Sequence, residues 1–307
     1  MPRPTYFEEH SDSSGSGAAF ATSKVPLPTA WRADLYLRFA LQKQRTVLVR
    51  REHSGPLVVQ KALYPEGDGV CHAIIVHPPG GIAGGDELQL RVDNDEAAHA
   101  LLTTPGAGKW YKANGREAAQ HLNFVVANNA VLEWLPQETI LFDAARAKMQ
   151  TRVKLNGDAR YAGWEILCFG RRAAGEKFIE GALRQSTQIE RDGVLIWNEC
   201  AVLNAGDRVM TSPIGMNNAT VNATFIVAAG AMPAALLDAC RAVMPTAKHT
   251  ATAGTENFGV SALPEIFAAR YLGDSTEQAR TYFETLWALL RPWYANRPMQ
   301  RPRIWST

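Results

Sequence analysis

The chain has 307 residues, and its 32 basic and 30 acidic side chains leave a formal net charge of +2. So balanced a charge argues against the basic footprint that binds nucleic acid or an anionic membrane. Hydrophobic residues make up 46% of the chain and charged residues 20%, which argues against a largely disordered protein. The apolar runs are far shorter than the roughly 20 residues that cross a bilayer, and no secretion signal precedes them, so we expect a cytoplasmic protein.

The first 28 residues differ in composition from the rest. They contain a serine- and glycine-rich run from Ser11 to Gly17 and end in Val25-Pro26-Leu27-Pro28. Such a segment cannot bury enough apolar surface to offset the entropy lost on ordering. We therefore predict a flexible leader over residues 1–28 and a single β domain over residues 29–307.

Short runs of alternating apolar residues begin after Trp31. Leu35, Leu37 and Phe39 fall on one face of the first run, as expected for a half-buried strand. Asp192-Gly193 separates two later runs and is a strong hairpin signal. Further runs of this kind cover residues 56–60, 71–76, 88–92, 100–104, 122–126, 131–135, 153–155 and 163–169. The alternation suggests a mostly β domain with antiparallel pairing.

Two segments have helical spacing instead. The first begins after Pro233, which suits a first helical turn, and keeps apolar residues on one face as far as Met244. The second begins with a capping box formed by Ser275 and Gln278, and we expect Pro292 to end it. The sequence therefore predicts two helices in the C-terminal half.

The most constrained stretch runs from His77 to Asp86 and reads H-P-P-G-G-I-A-G-G-D. Proline fixes φ and glycine permits positive φ, so this stretch specifies an unusual backbone path. It joins two predicted strands, whereas a dinucleotide-binding glycine motif opens a helix. The run Pro105 to Lys109 resembles part of a phosphate loop but lacks its first glycine and its magnesium-binding hydroxyl. Neither stretch supports a nucleotide site.

The cysteines and histidines do not form a metal-binding pattern. The cysteines lie in separate segments without a Cys-x-x-Cys pair, which is typical of buried free thiols. The histidines form no H-E-x-x-H or similar cluster, so a structural role is expected for each. We therefore expect no permanently bound cofactor.

Carboxylates inside apolar runs are more informative, because a buried acid is costly unless it is paired, binds an ion or faces water. Such acids are candidates for a functional site. The alternative is that each one faces solvent or pairs with a local arginine such as Arg146, Arg171 or Arg172. The acids in question are Asp86, Glu138, Asp143, Glu165 and Glu176.

Several long motifs follow one another along the chain: the His77–Asp86 stretch, L-T-T-P-G-A from Leu102, W-L-P-Q-E-T-I from Trp134, G-W-E-I-L-C from Gly163 and R-Y-L-G-D from Arg270. In this order they closely resemble the urease accessory protein D family, and the closing Pro302-Arg303-Ile304-Trp305 is similar to that family's usual C-terminus. The resemblance covers residues 31–307.

The resemblance implies an irregular, right-handed layered β superhelix with two α-helices towards the C-terminus. It implies a non-catalytic scaffold that binds apo-urease and, with accessory proteins F and G, conveys nickel to the urease active site. Family members are thought to provide an internal polar route for the metal. Scattered carboxylates suit transient nickel(II) better than a cage of histidine and cysteine, because weak sites exchange the metal more easily.

The resemblance also directs the choice of site residues. We expect Asp86, Glu138, Asp143 and Glu176 to line the nickel path as transient ligands, together with Thr103. The motif residues expected to shape this path are His77, Gly80, Gly81, Gly84 and Gly85. The exposed aromatic and basic residues expected to dock on protein F are Arg297, Arg301, Arg303 and Trp305.

Two alternatives stay open at this point. A carbohydrate-active enzyme is one, because irregular β superhelices often carry paired acids for glycoside chemistry. A simple adaptor without any metal route is the other. Binding of apo-urease separates the enzyme from the other two classes, and nickel incorporation separates those two.

Overall fold

A computed structural model describes residues 30–245 and 256–306, so the predicted leader lies outside the described residues. The strands are, in chain order, β1 (Arg32–Gln42), β2 (Arg45–Ser54), β3 (Val58–Val59), β4 (Cys71–Val76), β5 (Glu87–Asn94), β6 (His99–Thr103), β7 (Gly108–Trp110), β8 (Ala118–Val126), β9 (Val131–Trp134), β10 (Thr139–Leu141), β11 (Arg146–Leu155), β12 (Arg160–Phe169), β13 (Ala182–Arg191), β14 (Val194–Asn204), β15 (Val221–Ala228), β16 (Asn257–Ala262) and β17 (Ile266–Gly273). The helices are α1 (Arg208–Thr211), α2 (Ala234–Arg241) and α3 (Thr276–Ala295), with short 3-10 turns at Arg172–Ala174 and Arg303–Ser306.

The strands form two sheets. The first has seven strands in the order β14-β13-β11-β8-β5-β1-β2. The second has ten, eight of them in the order β16-β17-β15-β12-β9-β6-β4-β3, with β7 and β10 joined beside β12. The chain passes from β5 to β6, from β8 to β9 and from β11 to β12, so each coil places one strand in each sheet. The expected mostly-β fold is confirmed as a stack of coils resembling a β-solenoid.

The expected antiparallel pairing is wrong for the middle of both sheets. Strands β1, β5, β8, β11 and β13 pair in parallel, as do β4, β6, β9 and β12. Antiparallel pairs lie at the ends, including the predicted hairpin β13–β14 with Asp192 and Gly193 at φ of 48° and 81°. Alternation reports that one face of a strand is buried, and a coil of a solenoid has one buried face just as a hairpin does.

Two hydrophobic cores hold the layers together. The first lies between the sheets and includes Leu35, Leu37 and Phe39, which are fully buried as predicted. The second lies between the second sheet and α3, where Trp164 packs edge-on against Trp287 with ring centroids 6.1 Å apart. The second sheet is therefore buried on both faces, whereas the first sheet presents one face to solvent.

The helices agree with the sequence in position more than in length. Helix α2 forms after Pro233, and Ser275 caps α3 by accepting a 3.2 Å hydrogen bond from the backbone N–H of Gln278, as expected. The four-residue α1 has no counterpart among the predicted elements. No helix within residues 30–245 and 256–306 combines the length and the apolar character that a membrane span requires.

The prediction that Pro292 ends the last helix is wrong, since α3 continues to Ala295. A proline inside a helix removes one backbone hydrogen bond and crowds the preceding turn. The final turn of α3 is held from outside the helix, because the hydroxyl of Tyr294 donates a 2.6 Å hydrogen bond to the buried carboxylate of Glu133. A tertiary contact therefore overrides the local stop signal.

Candidate functional site: an internal passage

The glycine stretch forms the connection between β4 and β5, as its flanking strands predicted. Gly80 and Gly85 have φ values of 77° and 98°, a region that favours glycine. Gly84 has a different requirement, because a Cβ atom there would lie 2.0 Å from the carbonyl oxygen of Ala113. The stretch is therefore a tightly packed turn whose path depends on the absence of side chains.

This packing gives a first testable prediction. We expect Gly84→Ala to lower the free energy of unfolding by about 1–3 kcal/mol, because the added methyl group must push the backbone at Ala113 away. Gly106→Ala is the matched control, since a Cβ there meets no atom within 4 Å and its effect should stay within about 0.5 kcal/mol. Urea unfolding of both variants measures the difference, and equal stabilities would contradict the packing argument.

A cavity of about 310 Å³ lies beside this turn, with residues of both sheets in its wall. His77, Gly80 and Gly81 from the predicted motif line it, and Gln120 and Glu165 add polar groups. Burial lowers the pKa of His77 from its usual value, and the nearby charge of Asp86 opposes this shift. Part of the predicted motif therefore shapes a cavity inside the solenoid.

A second, smaller cavity of about 30 Å³ has residues of β13 and β14 in its wall. Trp134 and Glu165 line both cavities, so the two spaces adjoin at these side chains. The second cavity has polar side chains at positions that would usually be apolar in a sheet-to-sheet core, namely Thr151, Gln185, Thr187, Glu199 and Thr224. We call the two cavities together the internal passage.

Glu165 is the acid at the junction of the internal passage. Its carboxylate accepts a 2.6 Å hydrogen bond from the amide of Gln185. Burial raises the pKa of Glu165 to about 7, the hydrogen bond from Gln185 opposes the shift, and the charge of Glu199 adds to it. Glu199 itself pairs with Arg270 at 2.5 Å. The junction therefore holds a carboxyl group that exchanges its proton near neutral pH.

The predicted nickel ligand Asp86 lies at the end of the glycine turn. Its carboxylate accepts hydrogen bonds from the backbone N–H groups of Trp31 at 2.9 Å and Ala83 at 2.8 Å. These contacts fix the turn and the start of β5. Asp86 is not among the residues that line the internal passage.

Asp143 and Glu176 are brought together, 33 residues apart in sequence. The backbone N–H of Asp143 donates to Glu176 at 2.7 Å, while the side chain of Asp143 accepts from the N–H groups of Ile179 and Glu180. Glu176 also pairs with Arg171, one of the arginines that the sequence offered as a partner. Hydrogen bonding to Glu180 is the main reason that the pKa of Asp143 falls below its usual range.

Glu138 lies elsewhere, in an ion pair with Arg280 of α3. Thr103 donates to the carbonyl oxygen of Leu135 at 2.5 Å and accepts from the indole of Trp305 at 2.7 Å. The structure therefore joins Asp143 to Glu176 and leaves Asp86 and Glu138 in separate surroundings. None of these four acids lines either cavity of the internal passage.

The C-terminal residues expected to meet a partner divide into two groups. Trp305 is packed within the chain, with its ring 5.6 Å from that of Trp164 and 6.0 Å from that of Trp287. Arg301 and Arg303 are exposed, and Arg301 pairs with Glu284 at 3.0 Å. The tail is thus anchored by its aromatic residue and presents its arginines outward.

A buried charge network beneath α3 was missed by the sequence reasoning. We use this name for Glu66, His72, His99, Glu133 and Arg291. The guanidinium of Arg291 donates to Glu133 at 2.9 and 3.0 Å and to Glu66 at 2.6 and 2.9 Å. His99 lies 2.9 Å from Glu133, and His72 lies 2.6 Å from Glu66. One cation therefore serves two buried carboxylates.

The sequence does contain a signal for this network. Arg291 occupies the apolar stripe of α3, one residue after Leu290 and four after Trp287, and it is fully buried. A charge at such a position needs a buried counter-charge. Glu133 sits within the apolar run that became β9 and is also fully buried. These two charges could have been noticed, but only the fold places them together.

The passage and the network differ in what they can do. The network is fully paired and belongs to the scaffold. The passage offers oxygen and amide groups scattered among apolar side chains. No group of three or more His, Cys, Asp or Glu side chains suited to a metal ion occurs in residues 30–245 and 256–306. Its chemistry is that of weak, exchangeable contacts for a small polar or cationic solute.

Comparison with known proteins agrees with the resemblance. The family described as UreD urease accessory protein matches residues 32–306. "Urease accessory protein UreD" of Methylobacillus flagellatus is 53% identical over 277 residues, which cover 90% of this chain and 95% of the relative. The proteins of that name from Dechloromonas aromatica and Azoarcus sp. are 49% and 48% identical, covering 93% and 90% of this chain and 100% and 94% of their own lengths.

The match spans both sheets, the glycine stretch, the internal passage and the helices in one continuous range. Identities near one half over nine tenths of the chain leave no doubt about common descent. The chain therefore belongs to the UreD family of urease accessory proteins.

Proposed function

We propose that the chain is a urease maturation scaffold and metallochaperone that binds apo-urease. With accessory proteins F and G it conveys nickel to the urease active site, and it acts in the cytoplasm as a carrier without catalysing a reaction. The observation that carries this proposal is the internal passage, whose two cavities adjoin at Glu165 between the sheets. The comparisons support the proposal by showing that the chain belongs to the UreD family.

The side chains of the passage suit transfer of a metal better than storage. Hydroxyl, amide and carboxylate oxygens bind nickel less tightly than a cage of imidazole and thiolate does. Transit requires sites that are favourable enough to enter and weak enough to leave. Thr151, Gln185, Thr187 and Glu199 provide such groups on successive strands, and Glu165 lines both cavities.

The proposal keeps Asp86, Glu138, Asp143 and Glu176 as transient nickel sites outside the two cavities. Each would have to exchange an existing partner for the metal, because backbone N–H groups or an arginine already occupy its oxygens. It also keeps the C-terminal segment as the docking site for protein F. Arg301 and Arg303 supply its exposed charges, Arg297 lies beside Gly69, and Trp305 holds the segment in place.

Substitution of Glu165 tests the route directly. We expect Glu165→Lys to reduce nickel incorporation into urease about tenfold or more, since a fixed positive charge at the junction adds at least about 1.4 kcal/mol to the barrier for a cation. Glu165→Gln keeps the size of the side chain and should reduce incorporation less. The measurement is nickel content and activity of urease matured with each variant.

Asp238→Lys on α2 is the matched control, because its side chain is 73% exposed and lies in a surface pair with Arg241. It should leave nickel incorporation unchanged. Co-purification with apo-urease and protein F must be retained by all variants, which separates a blocked route from a lost complex. Normal nickel content with Glu165→Lys in an intact complex would reject the route through the passage.

The scaffold half of the proposal has its own test. The purified chain, alone or with protein F, should retain apo-urease in a pull-down. Failure of that pull-down together with turnover of a carbohydrate substrate would favour the glycoside-enzyme alternative. Retention of urease together with normal nickel incorporation in every Glu165 variant would favour the simple-adaptor alternative.

A further inference from the structure

The solvent face of the first sheet carries an asymmetric set of charges. We use the name basic stripe for Arg146, Lys148, Arg152 and Lys154 of β11 with Arg184 of β13. All five are exposed and occupy alternate, outward positions of neighbouring strands. Successive outward residues of a strand lie about 6.6 Å apart, so the stripe is a rigid row of cations.

The basic stripe has few counter-charges. None of its five residues takes part in an ion pair among the residues that the structure describes. Among the outward positions of β8, β11, β13 and β14, the single acid is Glu190, beside Lys154. On the other half of the same face, Arg38 pairs with Asp95 and Arg50 pairs with Glu52.

One cross-strand pair within the stripe is unfavourable for the sheet. Lys148 and Arg184 are direct partners in the ladder between β11 and β13, and both point outward. Like charges directly opposite each other destabilise a sheet. A repulsive pair that no other contact in the fold offsets is typical of residues that serve a function such as binding. An acidic group placed over this pair would remove the repulsion.

We propose that the basic stripe docks an acidic surface of a folded protein partner. The net charge of the whole chain is only +2, so the stripe is a local concentration and not a general property of the chain. Its outward neighbours on β8 and β13 include no Phe, Tyr or Trp on which a base could stack, which favours protein over single-stranded nucleic acid. Cations held at fixed spacing on a sheet suit carboxylates held equally rigidly.

This docking surface goes beyond nickel transfer, because it lies on the face of the first sheet opposite the internal passage and needs no metal. Charged interfaces of this kind set association rate and partner choice more than final affinity. The docking should therefore weaken steeply as salt screens the charges over a Debye length of about 10 Å.

An oligoglutamate peptide serves as the probe for this chemistry, with binding to the full chain followed by fluorescence anisotropy at low salt. The double variant Lys148→Glu/Arg152→Glu should weaken the affinity about tenfold or more. Lys148→Gln/Arg152→Gln should weaken it less and in the same direction. The matched control Arg38→Glu/Arg50→Glu makes an equal charge change on the paired half of the face and should change the affinity by no more than about twofold.

Melting temperatures confirm that each variant folds, and Arg184→Gln should melt no lower than wild type, because it removes a like-charge pair. Equal losses of affinity in the stripe variant and the control would overturn the proposal, since they would report only net charge. Tighter, stripe-dependent binding of duplex DNA or of phosphatidylserine vesicles than of oligoglutamate would overturn it as well.

Discussion

We expect Arg291→Met to lower the free energy of unfolding by about 3–5 kcal/mol, the cost of leaving a buried charge without its partner. Methionine fills similar space on α3 but leaves Glu133, which is fully buried, without its cation. Burial alone would raise the pKa of Glu133, yet the charge of Arg291 and the hydrogen bond with His99 lower it below its usual range. Urea unfolding near neutral pH measures the loss.

Arg303→Met is the matched control, because Arg303 is exposed and its loss should change stability by no more than about 0.5 kcal/mol. Adding Glu133→Gln to Arg291→Met should recover part of the lost stability, since the buried charge then disappears. Simple additivity of the two single changes would contradict a coupled network.

The same network determines how the stability of the fold changes as the pH falls. The pKa values of Glu133 and Glu66 are lowered in the fold, so their stabilisation is present above the ordinary carboxyl pKa and is lost as the pH falls below it. In Arg291→Met, the free energy of unfolding should therefore fall less between neutral and acid pH than it does in the wild type.

The second large effect concerns Glu165, whose contribution to stability changes with pH in the opposite direction. Its pKa is raised from 4.5 to about 7, so between these values the folded protein holds a proton that the unfolded chain has released. Stability should fall as the pH rises through this window and level off above it, by as much as about 3 kcal/mol at about 1.4 kcal/mol per pKa unit.

Glu165→Gln removes the titrating group and keeps the shape. The variant should match the wild type near pH 4.5 and become more stable than it by about 2–3 kcal/mol near pH 8, where a buried carboxylate must otherwise be charged. Glu190→Gln, an exchange on the outer face of the first sheet, is the control. Parallel stability curves for wild type and Glu165→Gln across this range would show that the carboxyl group at the junction is freely solvated.

Much of the fold could be read from local patterns. The alternation of Leu35, Leu37 and Phe39, the capping box at Ser275 and the Asp192-Gly193 turn each report a physical requirement that is met within a few residues. Strand direction could not be read in this way, because parallel coils and hairpins bury the same alternating face. The position at which α3 ends could not be predicted either, because it depends on the contact of Tyr294 with Glu133, 161 residues away in sequence.

The candidate site was harder to predict for a related reason. His77, Gly80 and Gly81 were found because their backbone chemistry is unusual in itself. Gln185 and Thr187 were not, because a strand with polar residues on both faces gives no sign of which face is inside. Glu165 was noticed as an acid in an apolar run, but its place between two cavities depends on the stacking of both sheets.

The late position of Arg291 has a consequence for synthesis on the ribosome. Its partners Glu66 and Glu133 are translated 225 and 158 residues earlier. At about 5–20 residues per second, the nascent chain holds both acids for roughly 8–30 s before their cation exists. During that interval the aromatic face that α3 will cover is also open. Burial of Glu66 and Glu133 beside their cation therefore waits until α3 has been translated.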